Sequence, residues 1–362
     1  MSKIALITDL HFGVRNDSLI YLNYFEKFYK EQFFPYLIEN GIGTIINLGD
    51  TFDRRKFISF NTLRRAKEMF FDVAFENGIT IHTIIGNHDT TYKNTNELNG
   101  PDQLLREYTN IHIYSEPEEI DLFCTGELFA FIPWITADNQ EKVLKFIQDT
   151  KAKIAFGHFE LNGYEVLRGI KMEHGMEPDI LSKFEAVFSG HFHSKHDKRN
   201  IYYLGTPYEL YFSDLYDNKG FHIFDTETRE LEFIINPRRL FHRIYYDDKG
   251  KTYQEVVKKV DYLQYKDTYV KVVVVRKTNN LFLEKFLDKL YSASPVDVKV
   301  VDEFKVDIEG NLLDDSISLA EDTLSVLNKY VDSIESLKNN ETREKLKNLL
   351  SELYKEAQMI EE

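Results

Sequence analysis

The sequence predicts an α/β fold, and three observations carry that expectation. Over the first 85 residues, apolar strand-length runs alternate with helical runs in the order β-α-β-α-β, which implies parallel strands joined by crossovers. Five apolar runs along the chain end in residues able to bind a metal or move a proton. Open α/β sheets keep their chemistry in loops at the C-terminal ends of strands. The composition, 362 residues with 43% hydrophobic and 14% aromatic, is that of a globular chain with a large core.

Taken in order, Lys3–Thr8 reads as a buried strand that delivers Asp9-Leu10-His11 and then Gly13. Residues two apart in an extended segment point to one side, so Asp9 and His11 can face one ion. Residues 18–39 have helical apolar spacing and stop at Asn40-Gly41. Thr44–Leu48 is the next strand and opens into Gly49-Asp50-Thr51-Phe52-Asp53-Arg54-Arg55-Lys56. A helix over about 60–77 leads to the strand Ile79–Ile85 and to Gly86-Asn87-His88-Asp89. The glycine lets the chain turn sharply there, and three polar residues follow at once. A polar, loop-rich stretch over 90–110 holds a short helix near 101–107. Short strands over 111–114, 119–123 and 128–132 lead to Pro133-Trp134. Trp134, the only tryptophan, is expected to pack under the site. A helix over 138–148 precedes Lys153–Phe156, which delivers Gly157-His158. A helical stretch over 176–184 precedes Ala186–Ser189, which delivers Gly190-His191-Phe192-His193. His191 and His193 again sit two apart. Strands over 200–204, 207–212, 220–225 and 230–235 read as antiparallel.

At Asn236-Pro237 the pattern changes, which sets a first domain at 1–236. Residues 237–301 repeat a β-α-β-α-β pattern with no chemistry of their own, as expected of a small capping domain. An acidic linker spans 302–315, and 316–362 reads as a helical hairpin. Its stripes are Ala320, Leu324, Leu327, Val331 and Ile334, then Leu346, Leu350, Leu353, Ala357 and Ile360, a coiled-coil-like spacing. A hairpin that small needs something to pack on. The net charge is −15, but residues 302–362 carry 16 acids against 7 basic residues. Much of the acidity therefore belongs to the tail, and it does not exclude a polyanionic partner for the rest. Four basic clusters, Arg54-Arg55-Lys56, Arg64-Arg65-Lys67, Lys195-Lys198-Arg199 and Arg238-Arg239-Arg243, can hold phosphates or simply face solvent. One cysteine, Cys124, allows no disulfide within the chain and fits a reducing cytoplasm; it is expected to be a packing residue. No run reaches the ~18 apolar residues of a membrane span. The N-terminal run is too short for a signal peptide.

Seven groups thus arrive at strand ends: Asp9, His11, Asp50, Asn87, His158, His191 and His193. Mixed oxygen and imidazole ligation suits Mn²⁺, Fe²⁺ or Zn²⁺ better than Mg²⁺. Seven ligands exceed what one open catalytic ion needs. They suit two octahedral ions about 3.5–4 Å apart, bridged by a carboxylate, for which Asp50 is the natural choice. Such a pair lowers the pKa of a bound water and clamps the oxygens of an in-line displacement at phosphorus. His88 remains to protonate the leaving oxygen, and Asp89 to fix its tautomer.

The blocks Asp9-x-His11, Gly49-Asp50-x-x-Asp53, Gly86-Asn87-His88-Asp89, Gly157-His158 and Gly190-His191-x-His193 resemble the calcineurin-like metallophosphoesterase superfamily. The Asn-His-Asp ending and the small domain that follows resemble the SbcD-type nuclease subunits of double-strand-break repair complexes. Within that branch they resemble the recombination nuclease subunits of T-even-like phages. The resemblance implies a four-layer α/β/β/α sandwich. It implies two Mn²⁺, one held by Asp9, His11, Asp50 and His193, the other by Asp50, Asn87, His158 and His191, with His88 as catalytic acid. It implies a DNA nuclease at DNA ends, working with an SMC-like ATPase of the SbcC type bound by the C-terminal helices. A homodimer within a heterotetramer and a cytoplasmic site of action (the host's, for a phage protein) follow. Asp53 stands where cellular members carry a His linked to exonuclease action. Gly-Asp-x-x-Asp-Arg also resembles protein phosphatases of the superfamily. A phosphatase or cyclic-nucleotide phosphodiesterase is thus the alternative reading.

Overall fold

The structure is a computed structural model that describes residues 3–167, 170–172 and 175–302, and beyond them residues 331, 342–347 and 349–350. Two six-stranded sheets organise it. In the first, Lys3–Ile7, Thr44–Asn47, Thr80–Ile84 and Ile111–Tyr114 run parallel in that order. Gly220–Asp225 and Leu231–Ile235 extend it antiparallel beyond Lys3–Ile7. In the second, Phe129–Ile132, Ile154–His158, Ala186–Gly190 and Ile201–Tyr203 run parallel. Antiparallel edge strands Glu118–Ile120 and His196–Lys198 close its two sides.

Period-two alternation gives each sheet two apolar faces. Ile4, Leu6, Ile46, Leu48 and Ile84 of the first sheet meet Phe129, Phe131, Ile154, Phe156 and Phe188 of the second in one cluster. The intervening Ala5, Ile45, Ala130, Ala155 and Val187 are buried too, so the outer faces are covered as well. Over the first sheet lie helical runs Leu19–Glu39 and Phe60–Glu76, each with a π-helical turn in its middle. Their Phe25, Phe28, Phe33 and Phe70 are fully buried, with Phe25 stacked on Tyr208 at 3.7 Å. The helix Gln140–Asp149 buries Val143 and Ile147. The fold is the expected α/β/β/α sandwich.

Local expectations fail where side-chain pattern is ambiguous. Residues 207–212 form no strand; a 3₁₀ turn, Phe212–Tyr216, follows. Ile201–Tyr203 is parallel to Ala186–Gly190 and antiparallel only to the edge strand His196–Lys198. The loop after Asp89 contains a hairpin, Thr90–Tyr92 with Thr95–Asn99, which its polar composition concealed. The stretch over 176–184 yields only a 3₁₀ turn, Pro178–Leu181. Cys124 is exposed, in a left-handed turn, and does not pack. Of the early apolar helix positions, Phe25, Phe28 and Phe70 are core, whereas Phe60 is 91% exposed.

Residues 241–302 form a parallel three-stranded sheet, Phe241–Asp247, Tyr269–Arg276 and Asp297–Asp302, with the helix Asn280–Ser292. Val257, Val272, Phe286 and Leu290 form its separate core. It belongs to the same compact unit as the two sheets. Buried Glu209 ties its entry down, accepting from the Leu240 and Phe241 N–H groups at 2.7 and 3.0 Å and from Arg239 at 3.0 Å. The expected C-terminal hairpin lies almost entirely outside the described residues. Residues 342–347 and 349–350 are helical, with Leu346 and Leu350 half-buried.

Candidate metal centre

The sandwich brings all seven expected ligands to the ends of the two sheets. Asp9, His11, Asp50 and Asn87 leave the first sheet; His158, His191 and His193 leave the second. Four of them, Asp9, His11, Asp50 and His191, hold a positive φ, of 53°, 44°, 51° and 88°. This conformation is uncommon for non-glycine residues, and such residues cluster at functional sites. The glycines beside them are there for space. A Cβ on Gly86 would stand 2.2 Å from the Asp50 Oδ1, and one on Gly190 2.1 Å from the Thr8 hydroxyl.

The donors form two cradles. In one, the His11 and His193 Nε2 atoms face each other at 3.1 Å, with Asp9 Oδ1 4.0 and 3.9 Å away. In the other, His158 Nε2 and His191 Nδ1 each lie 3.0 Å from Asn87 Oδ1. Asp50 Oδ2 stands between, 3.4 Å from His158 Nε2 and 3.9 Å from His11 Nε2. An octahedral ion with ligands at ~2.1 Å separates neighbouring donors by about 3.0 Å and opposite ones by about 4.2 Å. The separations here fall in that range, so the residues fit two ions that share Asp50.

Groups behind the ligands fix how they point. The His158 Nδ1–H donates to the Leu48 carbonyl at 2.7 Å, which leaves Nε2 as the donor atom for an ion. His191 Nε2 lies 3.2 Å from Glu160, so Nδ1 faces the cradle. Asp50 Oδ1 accepts the His88 backbone N–H at 2.8 Å. Asp9 is held by the Thr8 hydroxyl at 2.7 Å and by the His191 N–H. Glu160 escaped the sequence reading, although it stands two residues after His158, the same step that pairs the other ligands. The Leu48 carbonyl has no side-chain signal at all.

His88 is half-buried, its ring 4.9 Å from that of His11. The expected partnership with Asp89 is corrected. His88 Nδ1 donates to the Asp53 carbonyl at 2.6 Å. The Asp89 carboxylate is buried and accepts from the Thr51, Phe52 and Gly86 N–H groups at 3.0, 3.2 and 2.9 Å. It locks the Asp50 loop to the Asn87 loop and is a positioning residue. The Asp53 carboxylate lies 3.3 Å from His11 Nδ1. Trp134 is half-buried beside the second cradle, its ring 5.1 Å from that of His191 and 5.9 Å from that of His158.

The electrostatics follow from these contacts. Burial would raise Asp50, but the imidazoles of His158, His88 and His11 hold it well below the usual carboxylate range. Burial would lower His11 and His158, but Asp53 and Asp50 for the former, and chiefly Asp50 for the latter, hold each at about 9. His193 is pushed well down by burial and by His11. Burial and Asp50 push Asp89 up to about 7 against its three N–H donors. Burial lowers His88, which makes it a stronger acid.

A metal-dependent phosphoesterase is the class that fold and cradles define. The chain belongs to the calcineurin-like phosphoesterase family, whose model matches residues 2–195. It is 34% identical over 360 residues to Exonuclease subunit 1 of Enterobacteria phage T4, covering 98% of this chain and 99% of that protein. Among solved structures, an archaeal phosphodiesterase aligns with 65% of this chain and 99% of its own, at 14% identity and a TM-score of 0.33. A dimetal phosphatase of Danio rerio aligns with 61% of this chain and 91% of its own, at 10% identity and a TM-score of 0.37. No helix among the described residues is long and apolar enough to cross a membrane.

Proposed function

We propose that this chain is the nuclease subunit of a DNA-end-processing complex and hydrolyses phosphodiester bonds with two divalent ions. The observation that carries the chemistry is Asp50 Oδ2, placed between an imidazole of each cradle. DNA as substrate rests on the likeness to the T4 exonuclease subunit along almost the whole chain. Two bound ions supply Lewis acidity and offset the phosphate's charge. Asp9, His11, Asp50 and His193 would hold one ion; Asp50, Asn87, His158 and His191 would hold the other. The mixed oxygen and nitrogen donor set suits a transition ion such as Mn²⁺ better than Mg²⁺. Water attacks phosphorus and releases a proton to solvent, the opposite P–O bond breaks, and His88 as the imidazolium gives its Nε2 proton to the leaving oxygen while the Asp53 carbonyl holds the Nδ1–H that remains. Asp89 keeps the Asp50 and Asn87 loops in register.

The division of labour follows the sequence. Residues 1–236 are the nuclease and 237–301 cap it; 302–315 link to 316–362, which bind an SMC-like ATPase through their aliphatic stripes. The acidic faces of that segment suit a basic partner surface. The chain works as a homodimer in the cytoplasm, the host's for a phage protein. The test is cleavage of linear duplex DNA by the full-length protein with and without Mn²⁺ and the ATPase. Mn²⁺-dependent cleavage that responds to the ATPase is expected. Rapid hydrolysis of phosphomonoesters with no cleavage of DNA would overturn it in favour of a phosphatase.

A further inference from the structure

Of the four basic clusters, three are largely neutralised or propped. Arg64, Arg65 and Lys67 pair with Glu68, Glu26 and Glu107. Arg199 pairs with Asp179, and Lys195 and Lys198 lie over the rings of Phe233 and Tyr164. Arg238 and Arg239 pair with Glu31 and Glu209. The cluster after Asp53 differs. Arg54 pairs with Asp17, but the Arg55 Nη1 is buried and finds no acceptor among the described residues. A buried donor without an acceptor is costly and calls for one.

Arg55 lines a pocket of about 530 Å³ whose other walls include Lys56, Phe57, His88 and Tyr92. Phe57 and Tyr92 are 69% and 53% exposed, and neither ring stacks on another among the described residues. A pocket that pairs a cation with open aromatic faces is suited to one phosphate and one base, and its volume admits a nucleotide. Its place beside the metal centre says which nucleotide. His88 is both a wall of the pocket and the donor to the leaving oxygen, so the nucleotide carrying that oxygen departs on this side.

We propose that this pocket seats the leaving nucleotide of the DNA, with its base on Tyr92 and Phe57 and its distal phosphate on Arg55. The inference rests on the nuclease reading and deepens it. The hairpin Thr90–Tyr92 with Thr95–Asn99 is then a specificity element that a phosphoesterase of small substrates would not need.

The test uses the Mn²⁺-loaded full-length protein on three substrates: a short oligodeoxynucleotide, the same strand with an abasic leaving residue, and bis(p-nitrophenyl) phosphate. Tyr92→Ala is expected to raise KM for the intact oligonucleotide by about five- to hundredfold, the range for one lost base stack, and Tyr92→Phe to restore it. On the abasic strand the variant and the wild type should converge. Arg55→Ala should cost roughly tenfold or more in the ratio of DNA to bis(p-nitrophenyl) phosphate activity. Equal losses from Tyr92→Ala on intact and abasic strands, or an unaltered ratio in Arg55→Ala, would overturn the pocket and leave the nuclease reading standing. A wild-type protein that hydrolyses bis(p-nitrophenyl) phosphate but cleaves no DNA would overturn both.

Discussion

The two cradles take the same kinds of donor and are built differently. In the second, His158 is held from behind by a backbone carbonyl, which has one role at every pH, and His191 by Glu160. Their donor atoms converge on Asn87 at 3.0 Å. In the first, His11 leans on Asp53, a carboxylate with part of its surface in solvent, and its Nε2 faces that of His193 across 3.1 Å. Carboxylates around His11 hold its imidazole above the ordinary value, whereas burial and His11 push His193 well below it. The group behind His158 is therefore fixed by the fold, whereas the one behind His11 is itself a carboxylate. Geometry alone would make the two sites equivalent; both cradles hold a histidine at about 9, but only the first rests on a carboxylate that reaches solvent.

Asp50→Asn should cut across the comparison with the largest effect. It removes the charge both cradles share, so elemental analysis should find both ions lost and turnover gone. Retention of one ion would show that the cradles are independent. His88→Ala should leave both ions in place and lower turnover on the order of 10²–10⁴-fold; a loss of metal alongside activity would make His88 a ligand. Glu160→Gln should act on the second cradle alone, weakening its ion by about 10–100-fold. Two-step metal titration by calorimetry reads this directly, and an equal loss at both steps would erase the distinction drawn here.

The smallest effect is a pH shift. His11 is held at about 9, above the ordinary imidazole value. Below that pH a proton competes with the ion, and the same holds for His158 in the second cradle, so uptake at both should strengthen as pH rises towards 9. Asp53 is the leading influence raising His11 against burial. Asp53→Asn should therefore lower the His11 pKa and move the midpoint of uptake to lower pH, with the second cradle unmoved. A midpoint that stays put or rises would remove Asp53 from the first cradle's control.

The candidate ligands were legible in the sequence because each lies at or just after the end of an apolar run, and strand ends converge by construction in a parallel sheet. The sandwich itself was not legible from periodicity: that the runs before Asp50 and before His158 lie in different, facing sheets depends on packing between residues far apart, and the family resemblance supplied it. What sits behind the ligands was least visible. The Leu48 and Asp53 carbonyls carry no side-chain signature. Asp89, beside His88 in sequence, turns away from it because three backbone N–H groups converge on its carboxylate. The hairpin over 90–99 was hidden because its exposed residues are polar or, like Tyr92, isolated.

The pairing of His11 with His193 spans 182 positions of chain, and so does the bond from the His191 N–H to Asp9. During synthesis at about 5–20 residues per second, the N-terminal half of the first cradle waits roughly ten to forty seconds for its other half to be made. The second cradle waits on His158 and His191 in the same way. Until the second sheet has been translated and docked, the nascent chain offers an ion only isolated carboxylates and imidazoles. Cutting activity is thereby withheld from any nascent chain that has not passed His193, and a chain truncated before residue 190 would be harmless to DNA without any dedicated inhibitor.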